Sequence, residues 1–109
     1  MEPTSPAEFA KLVASGQLVV AGFFCDSVAT SKIFEAQLDH IRDRYTDCAF
    51  VKIDAANNPD LVRKYKIRAL PTTLVFFDKK KEATIVGILS AAAIHDVLNR
   101  IEKNRQKYD

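Results

Sequence analysis

The chain has 109 residues, of which 48% are apolar and 28% are charged, and its formal net charge at pH 7 is +2. This length and composition are typical of one soluble globular domain with a single hydrophobic core. Because the net charge is small, it does not indicate a nucleic acid or an anionic membrane as a partner. The dense basic run at residues 79–81 is typical of a solvated turn.

The N-terminal residues, MEPTSPAEF, lack the basic and apolar regions of a signal peptide. No apolar run approaches the roughly 18 residues that a membrane-spanning helix needs. The two cysteines, Cys25 and Cys48, are too few for a disulfide framework. We therefore expect one domain over residues 1–109, located in the reducing cytoplasm.

The first predicted element is a helix that follows Ser5 and ends before Gly16. Ser5 is suited to cap this helix, Pro6 to its first position and Glu8 to a capping box. The next segment, LVVAGFF at residues 18–24, is apolar without alternation. Such a run is typical of a central strand that is covered on both faces.

Residues 27–45 predict a second helix, because apolar side chains recur there at helical spacing. These side chains belong to Ile33, Phe34, Leu38, Ile41 and Tyr45. Ser27 is suited to cap this helix, and Asp26 to the positive end of its dipole. A second strand follows at residues 49–54, so the two strands are expected to be parallel, with a right-handed crossover.

A short helix is predicted after Asn58, with Pro59 at its first position. Strands at residues 72–77 and 83–89, joined by the charged turn DKKKE, predict a β-hairpin. The last helix is predicted to begin at Ser90 and to bury Ile94, Val97, Leu98 and Ile101. The order of elements predicts an α/β domain with a mixed sheet and helices on both faces.

Several segments of the chain resemble the thioredoxin family. KYKIRALPT, residues 64–72, resembles the segment that leads into the family's cis-proline, which falls on Pro71. LVVAGFF resembles the family's central strand, and VGILS, residues 86–90, resembles the end of its last strand and the cap of its last helix. The numbers of residues between these segments equal those in the family, with no insertion or deletion. The resemblance covers nearly the whole chain and implies the thioredoxin fold.

The same register places the family's W-C-G-P-C motif on Asp26, Ser27, Val28, Ala29 and Thr30. Ser27 and Thr30 then replace both redox cysteines, and Ala21 replaces the buried carboxylate of the family, while Lys52 retains its neighbouring lysine. A serine hydroxyl does not exchange with a disulfide, because this exchange needs an attacking thiolate and a second thiol. The resemblance therefore implies no catalytic residue, and no cofactor is expected. No metal is expected either, because Cys25 and Cys48 have no histidine or carboxylate at ligand spacing.

In the family, substrates lie across the motif loop, the cis-proline loop and the glycine near the last strand. By position, this groove comprises Asp26, Ser27, Val28, Ala29, Thr30, Leu70, Pro71, Val86 and Gly87. The first functional hypothesis is a redox-inactive module that binds a protein or an extended peptide. We expect a monomer or a weak dimer, with no nucleic acid or membrane as partner. A structural remnant without a partner is an alternative.

The second functional hypothesis is a monothiol-type thiol–disulfide oxidoreductase that acts through Cys25. This cysteine would lie on the loop between strand and helix, where it is a candidate for glutathionylation. The plainer interpretation is a small, half-buried residue at the end of a strand. A register shifted by two residues would place Cys25 at the nucleophile's position. That shift breaks the ungapped spacing to Pro71 and moves Ile33 and Phe34 off their matched positions.

An internal bridge between Cys25 and Cys48 is not expected. If the first two strands are parallel, the cysteines lie a strand length apart, roughly 17–20 Å. A disulfide needs Cα atoms about 4.4–6.8 Å apart. The two histidines, His40 and His95, fall on helical segments and are expected to be surface or packing residues.

Overall fold

A computed structural model describes residues 3–107, and their side chains as far as residue 103. The elements in chain order are α1 (Pro6–Ala14), β1 (Val19–Phe24), α2 (Ser31–Arg42), β2 (Ala49–Asp54), α3 (Pro59–Lys64), β3 (Thr72–Phe77), β4 (Lys80–Val86) and α4 (Ala91–Lys107). Four strands form one sheet in the order β2-β1-β3-β4. β1 is parallel to β2 and antiparallel to β3, and β3 is antiparallel to β4. The predicted α/β class and mixed sheet are confirmed.

All six residues of β1 are buried, as its unbroken apolar run predicts. One face of the sheet is covered by α2 and α4, whose buried side chains include Phe34, Leu38, Ile94 and Leu98. The other face packs against Phe9 of α1, and partly buried side chains of α1 and α3 adjoin it. Helices therefore cover both faces.

Gly22 of β1 lets α2 approach the sheet closely. A Cβ atom added at this glycine would lie 2.7 Å from the Phe34 Cζ atom and 3.0 Å from Leu38 Cδ2. Both side chains are fully buried. Because interiors are close-packed, neither ring nor methyl group can move away freely. The position of α2 over the sheet thus depends on residue 22 being glycine.

The predicted boundaries of α1 are confirmed. The Glu8 amide donates a hydrogen bond of 3.2 Å to Ser5 Oγ. Pro6 is the first helical residue, where its missing N–H costs nothing. After the helix, Gly16 has a φ of 83°, in the left-handed region that favours glycine.

The hairpin turn is shorter than the predicted DKKKE, because β4 spans Lys80–Val86 rather than residues 83–89. Only Asp78 and Lys79 lie between the strands, with φ angles of 52° and 69°. Two consecutive left-handed residues match the right-handed twist of a hairpin, and they allow pairing to begin at once. The following lysines therefore belong to an exposed edge strand, where charged side chains are common.

Both ends of the second predicted helix were wrong, since α2 spans Ser31–Arg42 rather than residues 27–45. Tyr45 lies beyond the helix and packs against the core from a turn. Ile33, expected on the buried stripe, is 53% exposed. The last helix begins one residue after Ser90, whose Oγ accepts a hydrogen bond of 3.0 Å from the Ala93 amide.

α3 ends in a motif that usually contains glycine. The Lys66 amide donates to the Arg63 carbonyl (3.2 Å), and the Ile67 amide donates to the Val62 carbonyl (2.9 Å). This pair of hydrogen bonds is the Schellman motif, with Lys66 as the residue after the cap. Lys66 has a φ of 55°. A lysine thus occupies a left-handed position that glycine adopts without steric cost.

Candidate functional site

Three segments meet at one end of the sheet, where β1 and β4 end and β3 begins. In register, Phe23 of β1 pairs with Thr72 of β3, and Thr72 pairs with Val86 of β4. The turn after β1, the loop before β3 and the segment after β4 therefore lie side by side. All the residues that the sequence predicts for the groove lie in these three segments.

Pro71 and Gly87 join two of these segments directly. The Gly87 amide donates a hydrogen bond of 2.8 Å to the Pro71 carbonyl. The peptide bond between Leu70 and Pro71 is cis. Leu70 makes no backbone hydrogen bond with another described residue outside the strands and helices. Leu70 itself is half-buried.

The turn between β1 and α2 is held by Ser31. The Ser31 hydroxyl donates to the Cys25 carbonyl (2.5 Å) and accepts from the Cys25 amide (3.2 Å). The Val28 amide donates to the Cys25 carbonyl (2.9 Å), and the Ser31 amide donates to the Val28 carbonyl (3.0 Å). Ser31 is 1% exposed. Sequence reasoning missed this residue, because its partner lies six residues away and no local pattern marks the contact.

Ser27 does not cap α2, so that prediction was wrong. The helix begins four residues later, and Thr30 occupies the N-cap position without a side-chain hydrogen bond to the helix. Ser27 is exposed, and its Oγ lies 3.0 Å from Cys25 Sγ. Asp26 is also exposed. The motif positions thus lie on an open turn that precedes the helix.

The two thiols lie at opposite ends of the β1–β2 pair. Cys48 precedes Ala49, which pairs with the first residue of β1, while Cys25 follows Phe24, the last paired residue. Both cysteines are free. Burial, the Asp47 carboxylate and then Glu102 raise the pKa of Cys48 to about 12. Cys48 therefore stays a protonated thiol at neutral pH, and thiolate is the reactive form.

Lys52 lies on β2, beside β1, and is half-buried. Its Nζ lies 2.9 Å from Glu35 Oε1 of α2 and 4.9 Å from the ring centroid of Phe24. In register it pairs with Gly22, one residue beyond Ala21. The lysine therefore has an ion-pair partner on α2, and Ala21 offers it none.

The surface around these segments includes exposed apolar side chains. Val86 is 66% exposed and Ile88 is 44% exposed, while Val28 and Leu70 are half-buried and Pro71 is buried. Ile88 was not predicted at this surface, because the resemblance carried over only Val86 and Gly87 from this segment. The observed strand ends at Val86, so the residue after Gly87 is free to face solvent.

The histidines lie outside these three segments. His95 of α4 has Nδ1 2.6 Å from the Tyr45 hydroxyl and Nε2 3.0 Å from Asn99 Nδ2. It therefore ties α4 to the turn after α2. Within the described part of the chain, no three His, Cys, Asp or Glu side chains are grouped as metal ligands would be. The helices between residues 3 and 107 include none that is long and apolar enough to span a membrane.

Comparison with known proteins identifies the fold's relatives. The family model for thioredoxin matches residues 1–100. The chain belongs to the thioredoxin family. Thioredoxin-2 of Saccharomyces cerevisiae is 32% identical over 95 residues, which cover 86% of this chain and 90% of the yeast protein. Thioredoxin of Acidithiobacillus ferridurans is 34% identical over 84 residues, which cover 76% of this chain and 78% of that protein.

Solved thioredoxin structures have the same fold. The crystal structure of thioredoxin from Trypanosoma brucei brucei superposes with a TM-score of 0.82 at 25% identity, covering 91% of this chain and 87% of that one. A Plasmodium falciparum thioredoxin superposes with a TM-score of 0.79 at 24% identity, covering 88% and 94% of the two chains. The thioredoxin family match includes every segment of the candidate site.

Proposed function

We propose that this chain is a redox-inactive thioredoxin-like protein that binds an extended segment of a partner protein. The binding surface, called the cis-proline groove below, comprises residues 26–30, Leu70, Pro71 and residues 86–88. The observation that carries this proposal is the open turn after β1, where hydroxyl side chains stand at Ser27 and Thr30, beside exposed apolar residues. Such a surface retains a place for a peptide and lacks a pair of thiols.

The chemistry of the turn supports the loss of dithiol exchange. A thiolate must attack a substrate disulfide and a second thiol must then resolve the mixed disulfide. Cys25 has the Ser27 hydroxyl beside it, and Cys48 lies at the other end of β1 and β2. Neither cysteine therefore has a resolving partner within the chain.

The shape and polarity of the groove support peptide binding. The backbone of Leu70 is available for hydrogen bonds, and Val86 and Ile88 offer apolar contacts on either side of Gly87. An extended peptide gains affinity from main-chain hydrogen bonds and specificity from alternate side chains. The partner is accordingly a protein segment without regular helical structure, and no cofactor takes part.

An insulin-reduction assay with NADPH and thioredoxin reductase separates this proposal from a thiol oxidoreductase. We expect insulin to precipitate no faster with this protein than with buffer, because both motif cysteines are replaced. Turnover that disappears in Cys25→Ser would contradict the proposal and favour monothiol exchange through Cys25. An active thioredoxin serves as the positive control.

The groove itself is tested by selecting peptides from an unbiased displayed library on the wild-type protein. We expect Val86→Asp and Ile88→Asp to weaken the selected peptides at least about tenfold, because contacts at the centre of an interface dominate affinity. Leu70→Asp is expected to do the same, with its fold checked by circular dichroism. Ala10→Asp, an exposed change on α1, is the control. Equal binding by all four variants would place the peptide elsewhere.

A further inference from the structure

A second open surface adjoins the cis-proline groove beyond Thr72 and Val86. It is a groove of about 400 Å³ between the loop after α3 and the outer strand β4. Its apolar lining includes Ile67, Ala69 and Val86, and its charged lining consists of Lys66, Arg68 and Lys81. We call this surface the basic arm. Val86 belongs to both surfaces, so one bound chain can cross from the first to the second.

A β-bulge brings Lys81 to this face of the sheet. Lys81 pairs with Phe76, Thr84 with Leu74 and Val86 with Thr72, although a strict two-residue alternation would place Lys81 and Thr84 on opposite faces. The register shifts between Val75 and Phe76, because β4 has one extra residue there. Lys81 and Thr84 therefore lie on the same face. The extra residue in the bulge thus aims a lysine toward the groove.

The backbone conformation at Lys66 belongs to the end of α3, and its side chain lies on the basic arm. Lys66 holds a φ of 55° at the position after the helix cap, where glycine is usual. The Schellman motif at the end of α3 accounts for this conformation. The side chain that results is exposed and lines the basic arm.

The charge of the basic arm is of one sign. Among the described residues that line it, three are cationic and none carries a carboxylate. Glu82, the nearest acidic residue on β4, lines a different groove with Val97 and Arg100. This sign of charge complements an anionic ligand. The apolar side chains of the lining offer contacts to apolar groups of the same ligand.

We infer that the partner segment is acidic: an extended peptide whose apolar residues contact Val86 and whose Asp or Glu side chains pair with Lys66, Arg68 and Lys81. This inference rests on the proposed peptide-binding function and adds the chemistry of the partner. The cations act at the rim, where they are solvated. They therefore select and orient the peptide, while apolar contacts supply most of the affinity.

The peptide library selected on the wild-type protein gives the first test. Selected sequences are expected to combine apolar residues with Asp or Glu on one side of them, at several times the frequency of the unselected library. Selection of peptides without acidic enrichment would overturn the inference and leave the proposed function standing. If no peptide is selected, both the proposed function and the inference fail.

Matched lysine variants give the second test. Lys66→Gly is expected to weaken an acidic selected peptide about two- to fivefold, as is usual for one exposed ion pair. Lys79→Gly is the control, because Lys79 also has a positive φ and is exposed but does not line the basic arm. Each variant replaces a lysine at a positive φ with glycine and removes one positive charge. Equal binding by the two variants would overturn the inference.

The salt dependence of binding and competition by a polyanion give the third test. The triple variant Lys66→Gly, Arg68→Gln and Lys81→Gln is expected to lose about tenfold in affinity and most of the salt dependence of the wild type, because exposed charges are screened. A fluorescein-labelled 12-nucleotide single-stranded DNA is the competitor. Tighter binding of this DNA than of the selected peptide would overturn the inference in favour of a nucleic acid.

Discussion

Cys25 and Cys48 differ in what surrounds each sulfur atom. Cys48 has a pKa raised to about 12 by burial and by the carboxylates of Asp47 and Glu102. Cys25 lies on the open turn, with its Sγ 3.0 Å from Ser27 Oγ. Because thiolate is the nucleophile, we expect iodoacetamide at pH 8 to modify Cys25 at least about tenfold faster than Cys48. Peptide mapping by mass spectrometry measures both rates.

Cysteine variants control for this assignment. Cys25→Ser is expected to abolish the fast phase, and Cys48→Ser to leave it unchanged. A fast phase that survives in Cys25→Ser would show that Cys48 is accessible as thiolate, contrary to its surroundings.

Cys48 also predicts how stability depends on pH. Its folded pKa is raised from the ordinary 9.0 to about 12, so the folded state holds the proton more tightly than the unfolded chain. The resulting stability is fully present below pH 9 and is lost as the pH rises toward 12. We expect the free energy of unfolding, from urea titrations at pH 8, 9.5 and 10.5, to fall more steeply in the wild type than in Cys48→Val. Parallel curves would contradict this expectation.

Gly22 predicts a steric effect at a single residue. An added Cβ would lie 2.7 Å from the Phe34 ring, and both residues are buried in the sheet–helix interface. We expect Gly22→Ala to destabilise the protein by about 1–3 kcal/mol, the usual range for an overpacked core. Urea denaturation of the variant and the wild type measures the difference.

A double-mutant cycle shows whether the clash is with Phe34. Phe34→Leu removes the ring and should cost less in the Gly22→Ala background than in the wild type, because residues in contact couple. If the two changes are additive, the strain lies elsewhere.

At the scale of elements, the start of α2 depends on a contact across the turn. Ser31 is buried and hydrogen-bonds both the amide and the carbonyl of Cys25. We expect Ser31→Ala to destabilise the protein by about 1–3 kcal/mol, because the Cys25 amide loses its hydrogen bond and the Cys25 carbonyl keeps only the one from the Val28 amide. Ser27→Ala should change stability by less than about 0.5 kcal/mol, since Ser27 is exposed. Thermal and urea denaturation measure the stability of both variants. A larger loss of stability in Ser27→Ala than in Ser31→Ala would indicate that Ser27 caps α2.

In the hairpin, the strands were predicted more accurately than the turn between them. The sequence predicts both strands, because their apolar and β-branched residues are local signals. The start of β4 was wrong by three residues, because two left-handed residues close the turn at Asp78 and Lys79. The turn contains no glycine, and lysine rarely adopts a positive φ, so composition alone pointed to a longer turn.

At the scale of the molecule, the register that places the motif on residues 26–30 can be tested by restoring thiols. We expect Ser27→Cys with Thr30→Cys, in a Cys25→Ser background, to gain insulin-reducing activity with dithiothreitol, because an exposed attacking thiol and a resolving thiol would share one turn. Val28→Cys with the natural Cys25 is the matched control, since it creates the pair that a register shifted by two residues requires. Activity in the control alone would favour the shifted register.

The amino-acid sequence by itself determined the order of the elements, the parallel β1–β2 pair, the caps at Ser5 and Ser90, and the absence of thiols at positions 27 and 30. These features follow from local periodicity, capping side chains and residue identity. Only the tertiary structure decided that α2 begins at Ser31, that Cys48 is held as a thiol and that Lys81 shares a face with Val86. Each of these depends on contacts between residues distant in the chain or on a shift in strand register, which no local pattern records.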